Sequence, residues 1–286
     1  MGTMLGTTLP DVDVWSERVT VALGQNPGLF TGPGTNTYLV GSGRRRILLD
    51  TGSGADAYPD VLARAMQRAG CDALQEIVLT HAHVDHLGGV AQVQARWGPL
   101  RVSKLPDPED APALGFAPLA DGAVVRTEGA TLRAVHTPGH ATDHLCFILE
   151  EEDALFSGDN VLGIGTTVIP SHGGDLLDYM RSLERMLALS PRRIYPAHGP
   201  LVEDGAQKLR EYIAHRDARE RQILAALAQG DAAIAAIVKR VYVDVPEALH
   251  AAAGHSVAAH LGKLEREGRV RRLDARAPLE AVWSRA

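Results

Sequence analysis

The stretch Ile-Val-Leu-Thr-His-Ala-His-Val-Asp-His, residues 77–86, decides the fold and the chemistry that we expect of this chain. Its first three residues are apolar, which predicts a buried strand. Gly88 and Gly89 come shortly after the stretch and precede a helical pattern. The histidines therefore lie on a loop between a strand and a helix. Residues i and i+2 of an extended loop project to the same side, which lets His81 and His83 bind one metal ion. Asp85 and His86 point elsewhere and can bind a second ion.

Three further side chains of metal-binding type each follow a predicted strand, in a turn that contains glycine or proline. They are His140 after Thr-Pro-Gly, Asp159 after Phe-Ser-Gly and His198 after Tyr-Pro-Ala. The carboxyl ends of strands are where sheet proteins gather their ligands. One such residue would be a weak signal, but together with residues 77–86 they predict a centre of five histidines and two aspartates. Imidazole and carboxylate suit zinc, and manganese or iron are chemically permitted substitutes.

The composition is typical of a globular protein without a framework of disulfide bonds. Of the 286 residues, 45% are hydrophobic and 22% are charged, and only two are cysteines. So few cysteines fit a reducing compartment. No apolar run is as long as a membrane span, and Met1–Pro10 lacks the parts of a signal peptide. We therefore expect a soluble, cytoplasmic protein with no membrane partner; the sequence carries no signal for its oligomeric state.

Charge is distributed unevenly along the chain. Residues 1–200 hold 15 Lys and Arg against 23 Asp and Glu, whereas residues 201–286 hold 14 against 12. Within that second part, residues 261–286 hold seven basic residues against four acidic ones. The acidic larger part argues against general binding of polyanions, whereas the basic tail could contact phosphate groups.

Strand and helix patterns alternate twice and predict an α/β fold. The first alternation covers residues 19–97 and the second covers residues 124–227. Two successive halves of this kind predict a four-layer αββα sandwich. Helices followed by a basic β-hairpin, which is the pattern of a winged helix, come after it. The predicted units are a catalytic domain of residues 1–229 and a small winged-helix-like domain of residues 230–286.

The motifs THAHVDH, TPGH, SGD and PAHG occur in this order, and together they resemble those of the metallo-β-lactamase superfamily of binuclear metallohydrolases. The resemblance covers residues 19–227. It implies the metallo-β-lactamase sandwich as the fold and two divalent metal ions as cofactors. It also implies how the ligands divide: His81, His83 and His140 hold one ion, Asp85, His86 and His198 hold the other, and Asp159 bridges them.

A longer set of segments resembles one group within that superfamily, the β-lactamase-like protein 2 family. The set includes GTNTYLVG, SGDNVLGIGTTV, DLLDYMRSLERML and HSVAAHLGKLEREGRV. Animal members are mitochondrial endoribonucleases, so the resemblance implies single-stranded RNA as a partner. Two features differ from the animal pattern. Ala82 replaces a bulky aromatic residue, which opens one wall of the site, and the arginines of a transit peptide are missing, so the compartment is not carried over.

The expected reaction is hydrolysis by a hydroxide held between the two ions, which needs no serine or cysteine nucleophile. Asp85 is the predicted catalytic residue, because it can both bind metal and orient the hydroxide. Asp50 either holds a ligand imidazole in one tautomer or caps a turn. His144 either donates a proton to the leaving group or supports the neighbouring structure, and the second alternative is favoured.

Three functions are compatible with these features. An endoribonuclease or phosphodiesterase of single-stranded RNA is favoured, because Arg269, Arg271 and Arg272 lie on the predicted wing and can contact phosphates. The alternative is a small-molecule acyl hydrolase acting on a thioester, lactone or β-lactam, since the same dimetal core serves these substrates. The third is a winged-helix binding protein with a vestigial enzyme domain, and the complete ligand set argues against it.

Overall fold

The centre of the molecule consists of two β-sheets that pack face to face. The structure, a computed structural model, describes residues 6–108, 110, 115–170, 173–243, 245–247 and 250–286. The first sheet contains seven strands in chain order: β1 Val12–Ser16, β2 Val19–Leu23, β3 Asn36–Val40, β4 Arg45–Leu49, β5 Ala73–Val78, β6 Val102–Lys104 and β7 Ala117–Pro118. It is antiparallel from β1 to β4 and parallel from β4 to β7.

The second sheet contains five strands, ordered β12-β11-β10-β9-β8. They are β8 Val124–Thr127, β9 Ala130–His136, β10 Leu145–Leu149, β11 Ala154–Gly158 and β12 Arg193–Pro196. Only β11 and β12 pair in parallel. Because β4 and β5 are parallel, as are β11 and β12, the segments that follow these strands emerge at shared sheet edges. Those segments carry the candidate site residues.

Helices cover the outer face of each sheet. They are α1 Tyr58–Ala69, α2 Val84–Leu87, α3 Val90–Trp97, α4 Leu176–Ala188 and α5 Gly205–Leu227. Buried residues of α1 and α3 pack on the first sheet, those of α4 and α5 pack on the second, and a third cluster fills the space between the sheets. The predicted four-layer αββα sandwich is confirmed. Within the described residues, no helix combines the length and apolarity needed to cross a membrane.

The two sheets are joined by hydrogen bonds beside the site as well as by apolar packing. The ring of Tyr38 contacts Phe156 edge-on at 5.0 Å between centroids, and its hydroxyl donates to the carbonyl of Pro196 at 2.6 Å. The amide of Asn36 donates to the carbonyls of Pro196 and Gly199 at 2.9 and 2.8 Å. Buried hydrogen bonds of this kind fix the backbone on both sides of His198, because breaking them would leave buried polar groups unpaired.

A winged helix follows the sandwich and has a core of its own. Its elements are β13 Ala232–Ala233, α6 Ile234–Val241, α7 His250–Arg266, β14 Val270–Arg272 and β15 Val282–Arg285, with sheet order β13-β15-β14. Trp283 lies at the centre of this core and is 1% exposed. Residues 248 and 249, just before α7, lie outside the described residues. The predicted winged helix is confirmed.

Helix α5 belongs to both cores. Near its start, Leu209 and Tyr212 pack under the second sheet of the sandwich. Near its end, Ile223 and Leu227 pack into the winged-helix core, where Glu220 also accepts a hydrogen bond from Lys263 of α7 at 2.6 Å. The predicted boundary between residues 229 and 230 comes just after the end of α5. Because Ile223 and Leu227 belong to the winged-helix core, that core includes residues before the boundary.

Strands β1, β6 and β7 were not predicted from the sequence. The β1 residues are half-buried or exposed throughout, β6 has three residues and β7 has two. Such short strands at or near a sheet edge carry little hydrophobic pattern of their own. They form because a neighbouring strand offers unpaired hydrogen-bonding groups, which is a tertiary effect.

The close approach of Gly139 to α4 gives a test of this packing. Gly139 has φ 128°, and a Cβ there would lie 2.3 Å from the Cα of Tyr179. We expect Gly139→Ala to lower the free energy of unfolding by about 3 kcal/mol, measured by urea denaturation. The control is Gly122→Ala, because Gly122 has φ 76° but nothing lies within 4 Å of the added atom. It should cost about 1–2 kcal/mol. Equal costs for the two variants would contradict the packing.

Candidate active site

Four predicted ligands form the first group of the site. The Nε2 atom of His81 lies 2.9 Å from Nδ1 of His83, and Nε2 of His140 lies 3.0 Å from the same atom. A carboxylate oxygen of Asp159 lies 3.4 Å from His140 Nε2. The ligand-type atoms of these four residues all lie within 4.8 Å of one another. Residues that follow β5, β9 and β11 thus meet at a single point, which is the arrangement that the sequence predicted.

The other three predicted ligands form a second group beside the first. The Nε2 atom of His198 lies 3.3 Å from a carboxylate oxygen of Asp85, and Nε2 of His86 lies 3.6 Å from that oxygen. Asp159 stands between the two groups. One of its oxygens lies 3.3 Å from His86 and 3.1 Å from His198, while the other faces His140. A carboxylate placed in this way can serve both groups, as expected of a bridging ligand.

Two buried atoms show that the cluster suits cations. His86 Nε2 and Asp159 Oδ1 are buried and have no hydrogen-bond partner among the described residues. Leaving such groups unpaired costs free energy unless a bound species uses their lone pairs. Three ring nitrogens of the first group also face one another at hydrogen-bond distance. Nitrogen and carboxylate ligands in two adjacent sets fit a pair of divalent metal ions.

Asp50 holds ligands of both groups through one carboxylate. It accepts hydrogen bonds from the backbone N–H of Thr80 at 2.8 Å, from the Thr80 hydroxyl at 2.9 Å and from Nδ1–H of His86 at 2.8 Å. The Thr80 oxygen also lies 3.0 Å from Nδ1 of His81. These bonds place the protons on Nδ1 of both rings and leave each Nε2 free to bind metal. The first of the two alternatives for Asp50 is therefore the one that the geometry supports.

His144 supports a ligand and does not face the cavity. It is fully buried, its Nε2 accepts the backbone N–H of Asp159 at 3.1 Å, and its Nδ1 lies 3.0 Å from the hydroxyl of Thr137. Both ring nitrogens are used, so a proton-donor role is not supported. His140 is held differently, since its Nδ1–H donates to the carbonyl of Val168 at 2.8 Å.

Histidines of the two groups have pKa values that are shifted in opposite directions. Burial lowers the pKa of His83 to about 4, with a further contribution from neighbouring His140, and burial lowers the pKa of His81 well below its usual value. Burial alone would also lower the pKa of His198. The negative charge of Asp159 and the close contacts with the carboxylates of Asp159 and Asp85 instead raise this pKa to about 9. The carboxylates thus attract positive charge to this group, and bound metal ions would supply that charge while keeping the rings neutral.

Two cavities open beside the ligands. The first, of about 320 Å³, has an apolar mouth formed by Leu29, Phe30 and Val168, and no lysine or arginine is among its described lining residues. The second, of about 300 Å³, lies on the side of Ala82 and shares His83 and His140 with the site. The small side chain of Ala82 therefore leaves this wall open, as predicted. The second cavity also contains three carboxylates: Asp107, Asp110 and Asp143.

The arginines predicted to contact nucleic acid are largely engaged within the protein. Arg269 forms an ion pair with Glu220, and Arg272 forms one with Glu265 at 3.0 Å. Arg271 is exposed on β14. None of the three is among the described residues that line the two cavities beside the ligands.

Sequence reasoning missed several residues that shape the site. Thr80, which joins Asp50 to His81, could have been found because it immediately precedes the first ligand. Val168 acts on His140 through a backbone carbonyl in an irregular segment, and Phe30 lies in a loop that carries none of the ligand motifs. Neither residue has a side chain whose type indicates its place, so the sequence alone carried no signal for them.

Family comparisons agree with this geometry. The model described as the metallo-beta-lactamase superfamily matches residues 30–198, more than half of the chain. The chain belongs to the metallo-β-lactamase superfamily. It is a hydrolase of this superfamily, and its histidine and aspartate cluster is the metal-binding site. A second family, the beta-lactamase associated winged helix domain, matches residues 233–278.

Individual relatives within the superfamily cover most of the chain. A beta-lactamase-like protein 2 homologue from Drosophila melanogaster is 42% identical and covers 92% of this chain and 93% of that protein. An atrochrysone carboxyl ACP thioesterase from Aspergillus novofumigatus is 43% identical and covers 78% of this chain and 67% of that protein. A metallo-β-lactamase family protein from Thermus thermophilus superposes with a TM-score of 0.75 at 25% identity, and covers 96% of this chain and 100% of that one.

The position of Asp159 predicts how metal binding responds to substitution. Wild-type protein dialysed against excess zinc should hold close to two ions per chain, measured by mass spectrometry of the metal content. Asp159→Ala should weaken binding of both ions by at least about 100-fold and abolish hydrolysis, because one carboxylate serves both groups. His83→Ala should mainly remove one ion, and exposed His255→Ala serves as the control. Retention of both ions by Asp159→Ala would refute the bridging role.

Proposed function

We propose that this protein hydrolyses an ester or thioester of an apolar acyl group. The main support for this proposal is the apolar mouth of the cavity above the metal ligands. Leu29 and Phe30 are each 69% exposed there, and Val168 is 51% exposed. Exposed apolar side chains at the rim of a polar site are typical of a surface that covers apolar ligand atoms. No cation among the described lining residues is available to meet a phosphate chain.

Two divalent ions, which we propose to be zinc, would polarise the substrate carbonyl and lower the pKa of a water molecule when bound. The residues of the chain do the remaining work. Asp85 faces the cavity and orients the attacking water through a hydrogen bond. Leu29, Phe30 and Val168 cover the acyl group and exclude bulk water from the site. The oxygen of water bonds to the acyl carbon, the carbon–sulfur or carbon–oxygen bond breaks, and the leaving thiol or alcohol takes up a proton.

Similarity to a named thioesterase supports this proposal without deciding it. The fungal protein acts on an acyl group carried by an acyl carrier protein, as its name states, and is 43% identical over 225 residues.

We also propose a cytoplasmic location, because Cys71 and Cys146 are both free and buried, which suits a reducing compartment.

Cleavage of single-stranded RNA is the second candidate. It is supported by similarity to β-lactamase-like protein 2 over both units of the chain and by the exposed Arg271 on the wing. Two features favour the acyl substrate instead. Arg269 and Arg272 are already paired with carboxylates, and no lysine or arginine is among the described residues that line the cavity above the metal ligands.

Substrate preference tests the proposal directly. Metal-loaded protein should hydrolyse apolar acyl thioesters faster than it hydrolyses acetyl thioesters, β-lactams or unstructured RNA. Replacing Leu29 and Phe30 together by alanine should lower kcat/KM for the apolar thioester about tenfold, because a lost apolar contact of roughly 1.4 kcal/mol corresponds to that factor. Leu189→Ala is the control, because Leu189 is also exposed but is not among the residues that line this cavity. RNA cleavage with no acyl hydrolysis would reject the proposal.

The RNA candidate makes its own prediction at the wing. If RNA is bound there, neutralising Arg269, Arg271 and Arg272 to glutamine should weaken RNA binding and reduce its salt dependence. The slope should fall by about 0.7 for each lost phosphate contact on a single strand. Arg271→Gln alone should give most of this effect, since the other two arginines are paired. Arg126→Gln, at an exposed arginine of the sandwich, is the control. An unchanged slope in the triple variant would remove the wing from RNA binding.

A further inference from the structure

A separate groove lies where the winged helix meets the sandwich. It has a volume of about 480 Å³ and runs between the start of α4 and the outer face of α7, with the loop before β15 on its other side. Its walls are mostly apolar. They are formed by Ile169, Pro170, Leu176, Ala258, Leu279 and Trp283. A groove of this size and composition suits the apolar body of a small molecule.

Charged side chains line one side of this groove. Arg266 pairs with Asp175, which caps α4, and Arg272 pairs with Glu265 at 3.0 Å while lying 5.8 Å above the ring of Trp283. Lys263 also lines the groove and pairs with Glu220 and Glu267, which lie outside it. Partly exposed ion pairs contribute little to stability. A ligand carboxylate can therefore replace Glu265 as the partner of Arg272 at little cost.

The groove adjoins the metal site through one short segment of backbone. Thr166, Thr167 and Val168 line the cavity above the metal ligands, and the next two residues, Ile169 and Pro170, line the groove. The carbonyl of Val168 accepts the hydrogen bond that orients His140. A molecule in the groove would contact the same segment that positions a metal ligand.

We propose that this groove is a binding site for an apolar molecule that ends in a carboxylate. The apolar chain lies against Ile169, Pro278 and Leu279, and the carboxylate pairs with Arg272. Acids of this kind are the products of acyl hydrolysis, so the source of the ligand, though not the binding itself, rests on the proposed function. A product acid bound here would act on the metal site through Val168 without occupying it.

Gly262 offers a substitution that fills the groove without disturbing the fold. It lies on α7 among the groove residues, and a Cβ added there would meet none of the described residues within 4 Å. Leucine also favours a helix more than glycine does, so Gly262→Leu should fold at least as well. Ala251→Leu is the matched control, because it adds a similar side chain at an exposed position of the same helix outside the groove.

Binding is measured by calorimetry with decanoate on the full-length, metal-loaded protein. Wild type and Ala251→Leu should bind decanoate alike, and Gly262→Leu should bind it at least about tenfold more weakly. Arg272→Gln should weaken binding severalfold. Butyrate can reach the metal ions but is too short to fill the groove, so its binding should be the same in all four proteins. Equal decanoate affinity in wild type and Gly262→Leu would overturn the proposal.

Kinetics separate this proposal from the proposed function. Decanoate should inhibit thioester hydrolysis of wild type with a lowered kcat, and Gly262→Leu should lose that inhibition while keeping its turnover. Binding of decanoate without any thioester hydrolysis would retain the groove and reject the proposed function. Inhibition that is purely competitive and persists in Gly262→Leu would mean that decanoate binds only at the metals, and would reject the groove.

Discussion

The hydrogen bonds of one buried carboxylate hold the metal-binding site together. Asp50 follows β4 with φ 59°, a left-handed backbone conformation that is uncommon for residues other than glycine and costs free energy. In that conformation its carboxylate reaches Thr80 and His86 and, through Thr80, also His81. Asp50 thus holds one ligand of the second group directly and one ligand of the first group through Thr80. The geometry of the metal-binding site therefore requires Asp50 to keep its strained backbone conformation.

The sequence predicted which side chains converge because each is a distinctive residue at the end of a strand. His140, Asp159 and His198 are far apart in the chain, yet the strand order brings them together, and strand order follows from the layered fold. What could not be predicted depends on long-range contacts. Arg269 looked free in the sequence, but it pairs with Glu220, which lies 49 residues away on α5. No local pattern indicates such a pairing, and the same holds for the carbonyl of Val168 beside His140.

The ligands of a metal site determine what chemistry is possible, and the surrounding walls determine what can reach it. In this protein those walls also include residues that are not metal ligands. Phe30 lies in a loop of the first sheet, Val168 lies in the segment before α4, and Ala82 stands between two ligands. A change in any of them alters the accessible substrates without changing the metal geometry. This separation allows one ligand set to serve different substrates.

Helix α5 connects the two units rigidly, because it packs into the cores of both. Its 23 residues form a rod about 34 Å long that is buried at one end in the sandwich and at the other in the winged helix. A flexible linker would let the second unit be gained, lost or exchanged as an independent cassette. In this protein, removing the winged helix would strip the apolar cover from Ile223 and Leu227. During synthesis, α5 therefore stays partly uncovered until β15, which carries Trp283, is made.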